Sequence, residues 1–255
     1  MTRVRDILDF LCELAPLDLQ MDFDNAGFQI GYGEKPVAKA LLALDVTDDV
    51  VQEAIDCGAE LIVSHHPLLF HPPRQITDTD PATLRILRLI ENGISVISMH
   101  TNLDIAEDGV NDVLIRLLGA EPSERLDAYG CGRIGTLPEA MPLDSFLELC
   151  RSRLQVNGLR YVAGGREVRR IAVMGGAGAE FIEDAVQKGC DTYVTADVKY
   201  HQFQRAAELG LNLIDADHFC TEQPVIPVLY GKLSHRFPDV SFSVSRKHGA
   251  LIRFA

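Results

Sequence analysis

The chain has 255 residues, a formal net charge of −13 at pH 7, 47% hydrophobic and 24% charged residues. At this length most of the surface exposed by the unfolded chain can be buried without disulfide staples, so disordered and disulfide-dense miniature proteins are excluded. The acidic balance argues against non-specific binding to a phosphate backbone, and no apolar run reaches the ~18 residues of a membrane span, so neither partner is expected.

Val4, Ile7, Leu8, Leu11 and Leu14 share one helical stripe over residues 1–14. This is an amphipathic helix without the continuous apolar core of an export signal. Six cysteines (Cys12, Cys57, Cys131, Cys150, Cys190, Cys220) are scattered with no CxxC, which points to reduced thiols and a cytoplasmic protein. A strand is predicted over 38–44, then an N-cap at Thr47 or Asp48 and a helix over 50–57 closed by Gly58. A buried strand over 61–63 follows. Asp80-Pro81 opens a helix that runs to Asn92 and ends at Gly93, and 94–99 is the next strand. Residues 121–168 break this rhythm with a strand over 133–137, a proline-opened helix over 142–154, a short strand over 159–162 and a Gly164-Gly165 turn. Beyond them the first plan returns: strands over 171–174, 192–195 and 211–214 alternate with helices over 179–188 and 200–209.

Strands alternating with helices imply parallel pairing with both sheet faces covered. Residues 54–64 and 185–195 also share the same register of helix end, glycine turn and strand. The expected fold is therefore α/β: two similar three-layer lobes with mainly parallel sheets, over 1–120 and 169–255, joined by a small α+β connector over 121–168. The metal-type residues are expected between the lobes.

In open parallel sheets the ligand crevice lies beyond the carboxyl ends of the strands. Three strands here run into Ser64-His65-His66-Pro67, His100-Thr101-Asn102-Leu103-Asp104 and Asp215-Ala216-Asp217-His218-Phe219-Cys220-Thr221-Glu222. Imidazole and carboxylate suit divalent transition metals. His218 and Glu222, four apart on a helix, share a face, whereas Cys220 lies off it. His65, His66, Asp104, His218 and Glu222 are too many for one closed tetrahedral site and about right for two ions, an arrangement used to activate water in hydrolases. Each segment alone is also explained as a hydrogen-bonded loop or a capped helix; their joint placement at strand ends favours ligands. Asp45, Asp197, Asp215 and Asp217 are candidates for orienting the imidazoles, with helix capping as the competing role. His71, His100 and His201 are candidate auxiliary ligands or proton carriers, with a surface role favoured for His71; His235 and His248 carry no signal. Gly175-Gly176-Ala177-Gly178 could cradle an anion, but lacks the pattern of a dinucleotide fingerprint or a P-loop, so a tight turn is the better reading.

These three segments, in this order, resemble the signature of a family of dinuclear metal-centre hexameric proteins, the GTP cyclohydrolase 1 type 2 homologues. Residues 23–31, 132–137 and 196–201 match it as well, so the resemblance covers nearly the whole chain. It implies His65, His66, Asp104, His218 and Glu222 as ligands of two divalent ions (zinc, iron, manganese or nickel) and a toroidal homohexamer with metal sites facing an internal cavity. Phe146, Leu149 and Tyr161 are candidate subunit contacts. Phe23 stands where the family usually has tryptophan, and Ala196 and Asp217 where it usually has glycine. If GTP is the substrate, the guanine ring opens with release of formate, and His201 or His100 would move protons. Lys199 and the 175–178 turn would draw a nucleotide phosphate. The competing readings are a phosphoester hydrolase and a non-catalytic metal-binding or metallochaperone protein.

Overall fold

The computed structural model describes residues 1–253. The chain forms two compact units, Met1–Ala106 with Ile226–Gly249, and Glu107–Val225 with the described residues from Ala250 onward.

The first unit opens with α1 (Val4–Leu14), whose Val4, Ile7 and Leu11 are buried as the stripe requires. After a 3-10 turn at Leu17–Leu19 come β1 (Gly27–Ile30), β2 (Lys39–Ala43) and α2 (Asp48–Cys57). Thr47 caps α2 by accepting from the Val50 amide at 3.3 Å, and Gly58 ends it at φ +68°. β3 (Leu61–Ser64) precedes α3 (Pro81–Glu91), which Asp80 caps by accepting from the Ala82 and Thr83 amides at 2.8 and 3.1 Å. β4 (Ser95–Ser98) then leads into the short α4 (Thr101–Ile105).

The second unit contains α5 (Val110–Leu117), β5 (Glu121–Arg125), β6 (Arg133–Met141), α6 (Leu143–Leu154), β7 (Arg160–Val162) and β8 (Val168–Ala177). A 3-10 turn at Ala179–Phe181 leads into α7 (Ile182–Gln187), followed by β9 (Thr192–Ala196), α8 (Tyr200–Glu208), β10 (Asn212–Asp215) and α9 (His218–Glu222). The chain then passes through α10 (Val225–Arg236) to β11 (Ser241–Val244), which rejoins the first unit.

The first sheet has the order β1-β4-β3-β2-β11, with β1 antiparallel to β4 and the other pairings parallel. β3 and β4 are buried along their whole length, so both faces are covered. Leu41, Ile62 and Val96 pack on Val50, Val51 and Ala54 of α2 and Leu89 of α3. The second sheet runs β5-β6-β8-β9-β10-β7. Its β8, β9 and β10 are parallel neighbours, while β5, β6 and β7 join antiparallel, so this sheet is mixed. Ile171, Val173, Val194 and Ile214 pack against α5, α6 and α9.

The division of the chain differs from the expected lobes of 1–120 and 169–255 and the connector of 121–168. β5, β6 and β7 extend the second sheet instead of forming one of their own, because backbone groups beside a sheet edge are best satisfied by the next strand. α5 belongs to the second unit's core. β11 pairs with β2 in parallel, Phe242 opposite Ala40, and residues 226–249 belong to the first unit. Phe146, expected among the subunit contacts, is fully buried in the second unit's core, and Leu149 packs partly buried against it. Tyr161 alone of the three is exposed.

Candidate metal centre

β3 and β4 are adjacent and parallel, so their carboxyl ends deliver His65, His66 and His100 to one edge of the first sheet. One nitrogen from each of these rings lies within 4.8 Å of the others. The ring centroids are 5.0 Å apart for His65 and His66, 5.2 Å for His65 and His100, and 5.6 Å for His66 and His100. Three ring nitrogens this close could be shared by one cation.

The outward nitrogen of each ring fixes which atom is left for a ligand role. His65 is completely buried, and its Nδ1 lies 2.8 Å from the Met99 carbonyl oxygen, which can only accept. The proton therefore sits on Nδ1, and Nε2 carries a lone pair. His66 Nδ1 donates to Asp45 Oδ1 at 2.7 Å, and His100 Nδ1 donates to Asp24 Oδ1 at 2.7 Å. A carboxylate or carbonyl behind an imidazole is the arrangement that orients metal-binding histidines and raises their basicity. Asp104, on α4, places Oδ1 3.7 Å from His65 Nε2. Asp24 is itself held by the Thr101 amide at 3.0 Å and by the Thr101 hydroxyl. Burial acts to raise its carboxyl, but the hydrogen bonds from His100 and Thr101 outweigh it and hold the group at about 2.

The second unit carries a similar construction on β10 and α9. His218 Nδ1 donates to Asp197 Oδ2 at 2.7 Å, leaving Nε2 facing Glu222 Oε2 at 3.2 Å. Two lone-pair atoms at that distance repel unless a proton or a cation is shared between them. Asp197 and His218 follow the ends of β9 and β10, and Asp215 ties those ends together. Its Oδ2 accepts from the Val198 amide at 3.0 Å and from Arg160, and its Oδ1 accepts from the Asp217 amide at 3.3 Å. Asp217 caps α9 by accepting from the Cys220 amide at 3.0 Å, so its carboxylate is a helix cap. It does so at φ +68°, the left-handed region that favours glycine.

Residues 175–177, expected as a turn, are the end of β8, and their backbone does not form an anion cradle. The Gly175 amide donates to Asn111 Oδ1 at 2.8 Å and the Gly176 amide to Thr221 Oγ1 at 3.0 Å, so these donors are committed. A Cβ on Gly176 would lie 2.2 Å from Glu222 Oε1 and 3.1 Å from His218 Nε2. Glycine is required there for the close approach of Glu222.

Of the residues singled out from sequence, His65, His66 and His100 come together in the first unit with Asp104 beside His65, and His218 and Glu222 come together in the second. Asp45 and Asp197 orient imidazoles, whereas Asp215 and Asp217 brace and cap. His201 stands exposed on α8, outside every such grouping among the described residues, and Lys199 is exposed at that helix's N-terminus. Cys220 is packed in the core, its thiol pushed up to about 12 by burial and then by the neighbouring Asp217. Asp24 was missed. Its signal was its place in the matched segment 23–31, but nothing local in the sequence points it at His100, 76 residues away.

An α/β fold with imidazole lone pairs gathered at the carboxyl ends of parallel strands defines a class of protein whose histidine and carboxylate groups could hold a metal ion. No helix among the described residues is long and apolar enough to cross a membrane. The chain belongs to the Duf34/NIF3 (NGG1p interacting factor 3) family, whose model matches residues 2–248. It is 38% identical over 253 residues to a GTP cyclohydrolase 1 type 2 homolog of Clostridium perfringens, covering 96% of this chain and 97% of that relative. Among solved structures it is similar to a Bacillus cereus protein related to NIF3, with TM-score 0.88, 28% identity and coverage of 100% and 99% of the two chains. A Staphylococcus aureus hypothetical protein matches with TM-score 0.91, 28% identity and 99% coverage of both chains.

Proposed function

We propose that this chain binds two divalent metal ions through His65, His66, Asp104, His218 and Glu222 and works as a metal-dependent hydrolase on a small nucleotide. The observation that carries the reading is the shared design of four histidines. His65, His66, His100 and His218 each donate Nδ1–H to an acceptor and so hold Nε2 as a lone pair. Zinc, iron, manganese and nickel all suit this mix of nitrogen and oxygen donors, and such ions supply Lewis acidity and an activated water.

The chain's own groups provide the rest. Asp45, Asp24 and Asp197 keep their imidazoles in one tautomer and one orientation. His100 is the proton carrier: Asp24 stabilises the charged ring when Nε2 takes up a proton, in the manner of a carboxylate behind a general base. His201, exposed on its helix, is left out of the machinery. The nucleotide substrate rests on the names of relatives such as the Clostridium perfringens GTP cyclohydrolase 1 type 2 homolog. The same reading takes the protein to be a cytoplasmic homohexamer.

Elemental analysis of the purified protein should find bound transition metal, and Glu222→Ala should retain clearly less. Equal metal in both would remove the ligand assignment. With metal restored, GTP, other nucleotides and a generic phosphoester are offered while formate and phosphate are followed separately. Formate from GTP, lost in His66→Ala, supports ring opening; phosphate release moves the reading to a phosphoester hydrolase. Neither product from metal-loaded protein would leave a non-catalytic metal-binding protein.

A further inference from the structure

Beside the histidine cluster of the first unit stands a short run of aromatic rings that the metal reading does not use. The Phe70 ring meets His100 edge-on at a centroid distance of 5.9 Å, and Phe23 meets Phe70 at 6.3 Å. Phe23 is 64% exposed. A single exposed aromatic is ordinary on a protein surface. This one lies between a second ring and segments that are joined by hydrogen bonds.

Asn25 Nδ2 donates to the Leu69 carbonyl at 2.6 Å, the Leu69 amide donates to Gln29 Oε1 at 3.1 Å, and Gln29 Nε2 donates to the Asn25 carbonyl at 2.6 Å. These bonds lace the segment carrying Phe23 to the one carrying Phe70. Immediately after Phe23, Asp24 is tied to His100 and Thr101, so the residue that orients an imidazole also fixes the backbone of the exposed ring. With the two segments joined in this way, the Phe23 ring presents an apolar face to water next to the polar cluster.

We infer that Phe23, backed by Phe70, is a stacking platform for the planar base of a nucleotide whose remainder reaches toward His100; the inference rests on the nucleotide reading above. Every nucleobase has a π face, and a preorganised phenyl ring offers one at low conformational cost. An anionic ligand alone would call for cationic side chains in this place, and the segment 23–29 contains none.

The sequence has no tryptophan, so Phe23→Trp creates a single fluorescent reporter on the platform. Tyr32→Trp, at a 73% exposed position of the same unit outside the ring contacts, is the control. Guanosine is titrated into the full chain with EDTA present, which reads the platform without metal, and GTP into the metal-loaded chain. The expected result is saturable quenching in Phe23→Trp, none in Tyr32→Trp, and displacement of GTP by guanosine but not by tripolyphosphate. By equilibrium dialysis, Phe23→Ala should bind GTP about tenfold more weakly while keeping wild-type metal content. Quenching equal in both tryptophan variants, or wild-type GTP affinity in Phe23→Ala, would overturn the platform even if metal is bound. Absence of metal from the wild-type chain would overturn the metal reading instead, and the EDTA titration would still decide the platform.

Discussion

Each histidine of the candidate centre commits one ring nitrogen so that the other is left as a lone pair, and the acceptors doing this come from distant parts of the chain. Asp24 is the most telling, since it accepts from His100, Thr101 and the Asn25 amide at once. Its carboxyl lies at about 2 in the folded protein against 3.8 ordinarily. A depressed carboxyl contributes stability that is fully present above the unfolded value and is lost as pH falls through the folded one. Between pH about 4 and about 2 the wild type should therefore lose on the order of 1 to 2 kcal/mol from this group. Asp24→Asn, with no carboxyl to protonate, should show a flatter decline over the same interval in urea unfolding at stepped pH. Parallel declines in the two proteins would show that Asp24 is not the group responsible. The strand-end placement of His65, His66, Asp104, His218 and Glu222 was readable from the sequence, whereas the pairing of Asp24 with His100 was not, because it is fixed by folding and not by spacing.

At the scale of elements, the two βαβ passages β2-α2-β3 and β8-α7-β9 follow the same plan, with parallel pairing of their strands. The glycines that punctuate them have unequal roles. Gly189 adopts φ +74° with open space around its Cα, so its conformation alone demands glycine. Gly176 adopts φ +66° and also lies against Glu222. Gly189→Ala should cost about 1 to 2 kcal/mol of backbone strain and leave metal binding intact. Gly176→Ala adds a collision to the same strain, so it should melt lower than Gly189→Ala and hold less metal, because Glu222 must move. Thermal melts together with elemental analysis of both variants test this; equal metal content would mean that Glu222 tolerates the added methyl. The glycines at 175 and 176 were legible, but their place in β8 and their use were not, since a turn, an anion cradle and a close approach to a side chain call for the same residue.

At the scale of the molecule, the first unit is assembled from two segments far apart in sequence, 1–106 and 226–249, and self-association depends on surfaces that the folded chain leaves outside. β7 is an edge strand of the second sheet and carries Tyr161, 49% exposed, whereas Phe146 is spoken for by its own core. An exposed edge strand with an aromatic on it is a natural place for a second copy to pair. Light scattering of the wild type should return six times 28.1 kDa, and Tyr161→Glu should lower that mass without a comparable loss of melting temperature. Phe146→Ala should instead cost about 3 to 5 kcal/mol of subunit stability, as truncation of a buried ring does. A monomer mass for the wild type would remove the hexamer, and an unchanged mass for Tyr161→Glu would move the contact elsewhere.

Local chemistry was enough to set the alternation of strands and helices, the caps at Thr47, Asp80 and Gly58, and the strand-end positions of the metal-type residues. Periodicity and capping act over a few residues, so a linear reading contains them. The partition of the chain was beyond that reach. Whether β5, β6 and β7 make their own sheet or extend another, and whether β11 stays with its sequence neighbours or crosses to β2, depends on which sheet edge is open once the rest has folded. The same holds for the acceptors behind His65, His66, His100 and His218. A hydrogen bond between residues 76 apart, such as His100 to Asp24, leaves no periodic trace and exists only when packing has brought the two together.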